Sequence, residues 1–300
     1  MDLKWLEDFL SLARTGNFSH SAVERNITQS AFSRRIKALE AWLGVPLVDR
    51  STYPTRLTSA GRTFRDTAEE ILRQLYEERS QLRHHQRHAR DVLSFAAQHT
   101  ISLAFYPKWL RNLERTLGPI ESRLVADNMH DCVRALIEGN CDFLLCFAHP
   151  ALPILVDTAR YPYGVVSQDR LIPVSAPTAN KQPRFRFPGT KQAFIPYLSY
   201  APDSYLGNAV DLMLGEQTQK HFLRRCYENS LAEGLKAMAL ESHGLAWLPE
   251  SSITNELKRK RLVRGGGVSW DVPLEVRLYR SLERSRPRVE ELWGLFGSEH

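Results

Sequence analysis

The sequence has few of the groups on which catalytic and metal sites depend. Only four cysteines and four methionines occur among its 300 residues. No CxxC pair accompanies the cysteines, which disfavours a zinc site. The GxGxxG, Walker A, GxSxG and HExxH patterns are all missing, so no known catalytic constellation supports an enzyme. We expect no enzymatic activity, no metal and no cofactor.

Long apolar runs are missing as well. No stretch of about 18 apolar residues occurs, so no segment is expected to cross a bilayer. The first residues, MDLKWLEDFLSLARTGNF, lack the basic start, the apolar middle and the small-residue cleavage site of a secretory signal. We expect a cytoplasmic protein with no membrane partner, in which the cysteines are reduced thiols.

The stretch ITQSAFSRRIKALEAWLG, residues 27–44, predicts a helix with two different faces. Phe32, Ile36 and Leu39 follow a helical spacing and form the apolar face. The other face carries groups that can hydrogen-bond to base edges and phosphates in the major groove. It consists of Gln29, Ser30, Ser33, Arg34 and Lys37. Arg35 lies to one side and is expected to hold a neighbouring helix or a phosphate. Taken alone, the pattern also fits an ordinary solvated helix.

Two further helices are predicted before this one. Trp5 begins the apolar stripe of the first helix, and Gly16 ends it. Ser19 can cap a short second helix. Thr28 caps the third helix and Gly44 closes it. Two short helices joined by a tight turn, the second polar along one edge, form a helix-turn-helix, which is typical of DNA-binding proteins.

The following stretch, VPLVDRSTYPTRLTSAG at residues 45–61, predicts a small hairpin. Arg50 and Arg56 would lie where such a wing meets the DNA backbone. Contacts of this kind add affinity without reading the sequence and make binding salt-dependent. Each arginine taken singly also fits an ordinary surface position.

Residues 58–90 predict a long linker helix, because no Pro or Gly follows Gly61. A near-heptad apolar seam runs along it, formed by Phe64, Ala68, Ile71, Leu75 and Leu82. The simplest cover for this seam is a second copy of the chain, so we expect a dimer whose symmetry matches paired half-sites on DNA. His84 and His88 have metal-ligand spacing, but no third ligand accompanies them.

The remaining residues, 91–300, predict two α/β lobes with strands and helices in alternation. Two such lobes form a cleft at the carboxyl ends of their strands, where open sheets bind ligands. The candidate effector-binding residues are His99, Thr100, Ser102, Phe147, Tyr200, Ser204, Tyr205 and His243. Each of them taken singly also fits a capping or core position.

Three of the four cysteines fall within residues 132–146. Cys132 and Cys146 lie within apolar patterns and fit buried, inert thiols. Cys141 follows Gly139 and Asn140 in a predicted turn. It is therefore the candidate for a redox-active thiol.

The N-terminal third carries a family resemblance. Residues 9–61, FLSLARTGNFSHSAVERNITQSAFSRRIKALEAWLGVPLVDRSTYPTRLTSAG, followed by a long linker helix, resemble the N-terminal half of a LysR-type transcriptional regulator. Val48 and Ser59 differ from the usual Phe and Pro. The resemblance implies a DNA-binding motif at residues 19–38 and an effector-binding domain behind the linker. It also implies these partners: double-stranded DNA with an interrupted palindromic operator, a homodimer or homotetramer, a small-molecule effector or oxidant, and RNA polymerase.

The fold class that we predict is α+β and multidomain. An N-terminal all-α winged helix-turn-helix is expected at residues 1–57 and a long linker and dimerisation helix at residues 58–90. A C-terminal two-lobed α/β domain, periplasmic-binding-protein-like and effector-binding, is expected at residues 91–300. Its lobes are predicted at residues 91–161 plus 266–300 and at residues 162–265.

The predicted function is a sequence-specific DNA-binding regulator of transcription. The segments KWLEDFLSL, SYAPDSYLG and HGLAWLPE are similar to the hypochlorite-responsive subgroup of LysR regulators, and this resemblance implies a response through oxidised sulfur. Leu206 and Leu231 stand where that mechanism would use sulfur. A metabolite-responsive regulator with no redox role is therefore the alternative. From other classes, the alternatives are a two-lobed solute-binding protein or an enzyme.

Overall fold

The computed structural model describes residues 2–51, 54–85, 92–154 and 156–296, without the side chains of residue 73 and residues 76–85. The chain forms two compact units, Met1–His88 and Ala89–His300. Within the described ranges, no helix has the length and apolar character needed to cross a membrane.

The first unit is a helix-turn-helix followed by a short hairpin and a long helix. Its elements are α1 (Leu3–Thr15), α2 (Phe18–Glu24), α3 (Gln29–Leu43), β1 (Val48–Asp49), β2 (Arg56–Leu57) and α4 (Ser59–His85). Gly16 and Gly44 end α1 and α3 in the left-handed conformation, with φ of 61° and 75°. Thr28 caps α3, as predicted. The predicted cap of α2 is wrong, because Asn17 and not Ser19 accepts the first-turn amides.

Helix α4 buries part of its apolar seam within the first unit. Ala68 is fully buried, and Phe64 packs against the same core. The rings of Phe64 and Phe9 of α1 are 5.5 Å apart. The prediction that a second copy covers the whole seam is therefore wrong for this part. Leu75 is 48% exposed, and Leu82 lies outside the described side chains.

The second unit alternates strands and helices. Its strands are β3 (Leu93–Gln98), β4 (Ser122–Asp127), β5 (Phe143–Ala148), β6 (Tyr163–Ser175), β7 (Ile195–Tyr200), β8 (Leu223–Asn229), β9 (Ala246–Pro249), β10 (Val263–Arg264) and β11 (Val272–Arg280). Its helices are α5 (His99–Ala104), α6 (Tyr106–Leu117), α7 (Met129–Ile137), α8 (Tyr205–Glu216), α9 (Ala232–Leu240), α10 (Glu250–Lys258) and α11 (Pro287–Trp293).

Two long strands, β6 and β11, join the two lobes of this unit. In the first lobe β3 pairs in parallel with β4 and β5. In the second lobe β7 pairs in parallel with β8, while β9 and β10 pair with β6. Strand β11 lies between β6 and β5 of the first lobe and pairs antiparallel with both. The fold is two-lobed and periplasmic-binding-protein-like, as predicted.

Burial follows the pattern of a sheet that is covered on both faces. Every residue of β5, FLLCFA, is buried, as expected for a covered strand with parallel pairing. Phe95 of β3 and Trp247 of β9 belong to one hydrophobic cluster that extends through both lobes. The lobes therefore share a continuous core, against which the loops at the strand ends are placed.

Candidate functional site

The five side chains predicted to read DNA form a stripe on α3. They are Gln29, Ser30, Ser33, Arg34 and Lys37, all exposed except the half-buried Ser33. Phe32, Ile36 and Leu39 on the opposite face are fully buried. The stripe therefore presents hydroxyl, amide and cationic groups to solvent, and these are the groups that read base edges in a major groove.

A buried acid holds α3 in place. Asp8 of α1 is completely buried, and its carboxylate accepts hydrogen bonds from Arg25 Nε at 2.8 Å and from Arg35 Nη1 at 3.2 Å. Arg25 also pairs with Glu7. A buried carboxylate is stable only when it is paired in this way. Arg35 therefore ties α3 to α1, which is one of the two roles expected for it from the sequence.

Arg50 and Arg56 lie at the β1–β2 hairpin, and both are exposed. Arg50 donates a hydrogen bond to the Glu40 carboxylate at 3.0 Å, and its guanidinium lies 5.2 Å from the ring centre of Phe18. Arg56 of β2 lies opposite Asp49 of β1 in the register of the hairpin. A DNA phosphate at Arg50 would therefore share this guanidinium with Glu40.

A cavity of about 200 Å³ lies between the two lobes of the second unit. Four strand-to-helix junctions form its walls, β3–α5 and β4–α7 from the first lobe and β7–α8 and β8–α9 from the second. Its lining residues are Gln98, His99, Thr100, Asp127, Asn128, Met129, Phe147, Asp203, Ser204, Tyr205, Leu206, Ser230, Leu231 and Ala232. A helix begins at each of these junctions, and the first N–H groups of a helix have no partner within it.

The cavity brings together most, but not all, of the predicted cleft residues. The predicted residues that line it are His99, Thr100, Phe147, Ser204 and Tyr205. Ser102 instead donates its hydroxyl back to a carbonyl of α5. Tyr200 is only 4% exposed and belongs to the core. His243 precedes β9, which runs parallel to β7, so it lies at the opposite end of these strands. The structure does not support these three as cleft residues.

Hydrogen bonds join the lobes beside the cavity. The Tyr205 hydroxyl of α8 donates to the Leu152 carbonyl at 2.9 Å and accepts from the His149 amide at 2.8 Å. The Thr100 hydroxyl of α5 donates to the Glu233 carboxylate of α9 at 3.1 Å. Burial raises the pKa of the Tyr205 hydroxyl, so this group is a neutral donor near pH 7. Residues that line the cavity thus also hold the lobes together.

The environment of Cys141 does not support a redox role. Cys141 is 3% exposed, and burial raises the pKa of its thiol. Burial likewise raises the pKa of Cys132 to about 12. Since the thiolate is the reactive form, such cysteines are inert. Among the cysteines in the described ranges, Cys226 alone is exposed, and it lies at an irregularity in the pairing of β8 with β7.

Sequence reasoning missed the acidic residues of the cavity. Asp127 is the last residue of β4, and Asp203 lies just before α8. Each stands next to a helix cap, since Asn128 caps α7 and Ser204 caps α8. The second junction was already identified from the sequence through Ser204, and an acid directly before a helix cap is the signal that would have added Asp127 and Asp203.

Two family models match the chain. The model for bacterial regulatory helix-turn-helix proteins of the lysR family matches residues 3–62. The LysR substrate binding domain matches residues 86–299. The HTH-type transcriptional regulator YjiE of Escherichia coli strain K12 is 31% identical over 294 residues, which cover 98% of this chain and 93% of that protein.

Solved structures give the same assignment over the whole length. Vibrio fischeri DarR, solved in complex with DNA, is 33% identical, with a TM-score of 0.60 over 100% of this chain and 99% of that chain. Full-length HypT of Salmonella typhimurium, a hypochlorite-specific LysR-type regulator, is 29% identical. The match has a TM-score of 0.59 and covers 100% of this chain and 99% of that chain. The chain therefore belongs to the LysR family of DNA-binding transcriptional regulators and is not an enzyme.

Proposed function

We propose that this regulator binds a specific DNA sequence under the control of a small effector held between its lobes. The cavity carries the proposal, because its walls come from both lobes and a ligand there touches both. A ligand that binds one arrangement of the lobes more tightly shifts the population towards that arrangement. The effector in this proposal is a metabolite.

The DNA contacts are assigned by chemistry. The exposed stripe on α3, formed by Gln29, Ser30, Ser33, Arg34 and Lys37, reads bases in the major groove. Arg50 and Arg56 at the hairpin contact phosphates. The family relative DarR was solved in complex with DNA, which supports a duplex as the partner.

A homodimer or homotetramer in the cytoplasm would bind an interrupted palindrome and act on RNA polymerase. The exposed Leu75 on α4 offers apolar surface for a second copy. Two-fold symmetric proteins bind half-sites separated by whole helical turns of DNA, about 10 base pairs each. Footprinting on the upstream region of the chain's own gene, together with light scattering of the complex, tests this. We expect paired protected half-sites and at least two chains per operator; one protected half-site bound by one chain would refute it.

Control by hypochlorite is a second candidate function, favoured by one observation. Met129 lines the cavity, and oxidation of its thioether to the sulfoxide would make an apolar side chain polar. The similarity to hypochlorite-specific HypT points the same way. Leu206 and Leu231 on the cavity wall have no sulfur, so the response would depend on Met129 or on the exposed Cys226. DNA binding that is unchanged by stoichiometric hypochlorite would exclude this function and leave the metabolite.

A further inference from the structure

We infer that the cavity binds a small α-amino acid through both of its charged groups; this rests on the proposed function, which requires a ligand there. Asp127 from the first lobe and Asp203 from the second line the cavity. Among the described lining residues, none is Lys or Arg. A purely anionic ligand would meet two like charges, with His99 as the one basic side chain among the described lining residues, whereas an ammonium group has two partners of opposite charge.

The carboxylate of the ligand has its place at the starts of α8 and α9. Among the residues that the structure describes, no side chain caps the first turn of α9, and Leu231 at its N-cap lines the cavity. Ser204 caps α8 but accepts only from the Gly207 amide. First-turn N–H groups of both helices are therefore left for a ligand, and the helix dipoles favour a negative group there. Because Glu233 already places an acid in the first turn of α9, the start of α8 is the more favourable of the two places. The two acids and the two helix ends together select a zwitterion.

The size and the apolar part of the cavity restrict the ligand further. The volume of about 200 Å³ is below the range of about 300–1,000 Å³ that is usual for drug-sized ligands. Phe147, Leu206 and Met129 add apolar surface to the same walls. An amino acid with an aliphatic side chain fits this combination of volume and chemistry.

The positions of the two acids also explain how binding would close the lobes. Asp127 and Asp203 belong to different lobes and line the same cavity, so closure of the lobes would bring two like charges nearer to each other. An ammonium group bound by both carboxylates would offset that repulsion and favour the closed arrangement. The Thr100–Glu233 hydrogen bond between the lobes, at 3.1 Å, borders the same space.

Isothermal titration calorimetry on the full-length protein tests the inference. The probes are the L- and D-forms of the proteinogenic amino acids, each titrated singly. For the tightest binder, the matched amine without the carboxylate and the matched acid without the amine follow. We expect each analogue to bind at least about tenfold more weakly, because each loses charge-assisted hydrogen bonds. An acid analogue that binds as tightly as the amino acid, or no binding of any amino acid at millimolar concentration, would overturn the inference.

Variants locate the bound ammonium group. Asp203→Asn and Asp127→Asn should each weaken amino-acid binding about tenfold or more. Asp211→Asn, an exposed change on helix α8 away from the cavity lining, is the matched control and should leave affinity unchanged. Thermal melts show whether each variant is folded, and two independent acids keep the test decisive if one is not. Equal affinity of the Asp203 and Asp211 variants would contradict the inference. If a compound without an amine binds and changes DNA affinity, the inference fails while the proposed function stands.

Discussion

The Asp8 carboxylate of α1 accepts a hydrogen bond from the Arg35 guanidinium of α3 at 3.2 Å, although Asp8 has no exposed surface. Arg25, after α2, donates to the other carboxylate oxygen at 2.8 Å. One buried acid therefore connects all three helices of the helix-turn-helix. The direction of the exposed stripe on α3 depends on this connection.

Asp8→Asn should destabilise the first unit. The substitution keeps the shape of the side chain but replaces one carboxylate oxygen by an NH2 group, which cannot accept from an arginine. One hydrogen bond is lost and the other is no longer charge-assisted on the acceptor side, so we expect the free energy of unfolding to fall by about 2 kcal/mol. Urea denaturation measures this change. Asp66→Asn, on the exposed surface of α4, is the control and should change stability by no more than about 0.5 kcal/mol. Equal losses in the two variants would contradict the role of Asp8.

Arg34→Ala and Arg50→Ala should affect DNA binding differently. If Arg34 reads a base, its loss should cost about 1–3 kcal/mol on the operator and little on random duplex. Loss of Arg50 should weaken binding to both duplexes alike. It should also reduce the slope of log affinity against log salt concentration by about one, the value for one phosphate contact. Affinity titrations at several salt concentrations measure both effects. If Arg34→Ala lost the same affinity for operator and random duplex, Arg34 would be assigned to a phosphate contact instead of a base.

Tyr205→Phe should loosen the junction between the lobes. The change removes only the hydroxyl that donates to Leu152 and accepts from the His149 amide. We expect faster hydrogen exchange at the His149 amide and a loss of stability of about 1 kcal/mol. Tyr227→Phe is a control on β8, where the hydroxyl accepts from Asn229. Unchanged exchange at His149 in the Tyr205 variant would show that its hydroxyl does not hold the lobes.

The Arg280–Glu290 pair predicts a pH dependence of stability. Buried Arg280 donates two hydrogen bonds of 2.7 Å to Glu290, and these, with a bond from Ser285, lower the pKa of the Glu290 carboxyl below its usual 4.5. A lowered folded-state pKa contributes stability that is present above the usual pKa and is lost as the pH falls through the folded-state pKa. The stability difference between wild type and Glu290→Gln should therefore shrink below pH 4.5. Urea denaturation between neutral and acidic pH measures it, and a constant difference would contradict the pairing.

Thiol labelling distinguishes the cysteines. Burial raises the thiol pKa of all four cysteines, but Cys226 is exposed to a reagent, whereas Cys132, Cys141 and Cys146 are buried. A disulfide reagent should therefore modify one thiol per chain rapidly in the native protein and the other three only after unfolding. Cys226→Ser should abolish the rapid phase. Rapid labelling of Cys141 would restore it as a redox candidate.

The helix-turn-helix can be predicted from sequence because its signals are local. Thr28 and Gly44 mark the ends of α3, and the spacing of Phe32 and Ile36 defines its buried face. The cover of the α4 seam could not be predicted in the same way. Ala68 meets the core of its own unit, and this contact depends on how distant helices pack.

The cleft shows the same limit. Ser204 and Tyr205 were identifiable because a helix start follows an apolar strand. His243 was misplaced because the end of a strand that faces the cavity depends on non-local pairing. Tyr200 stands at the cavity end of β7, but its side chain is buried in the core. Strand β8, LRRCYEN, was not predicted, because it is largely exposed and has no apolar run. Local patterns thus identified the elements, while the walls of the cavity required the tertiary structure.

An anisotropy titration of the full-length protein shows whether it recognises a specific DNA sequence. Its own upstream intergenic duplex is compared with a scrambled duplex of equal composition at one fixed salt concentration. We expect the upstream duplex to bind about 10³-fold more tightly or better, as specific sites do. Equal affinity for the two duplexes would contradict a sequence-specific regulator acting at that site.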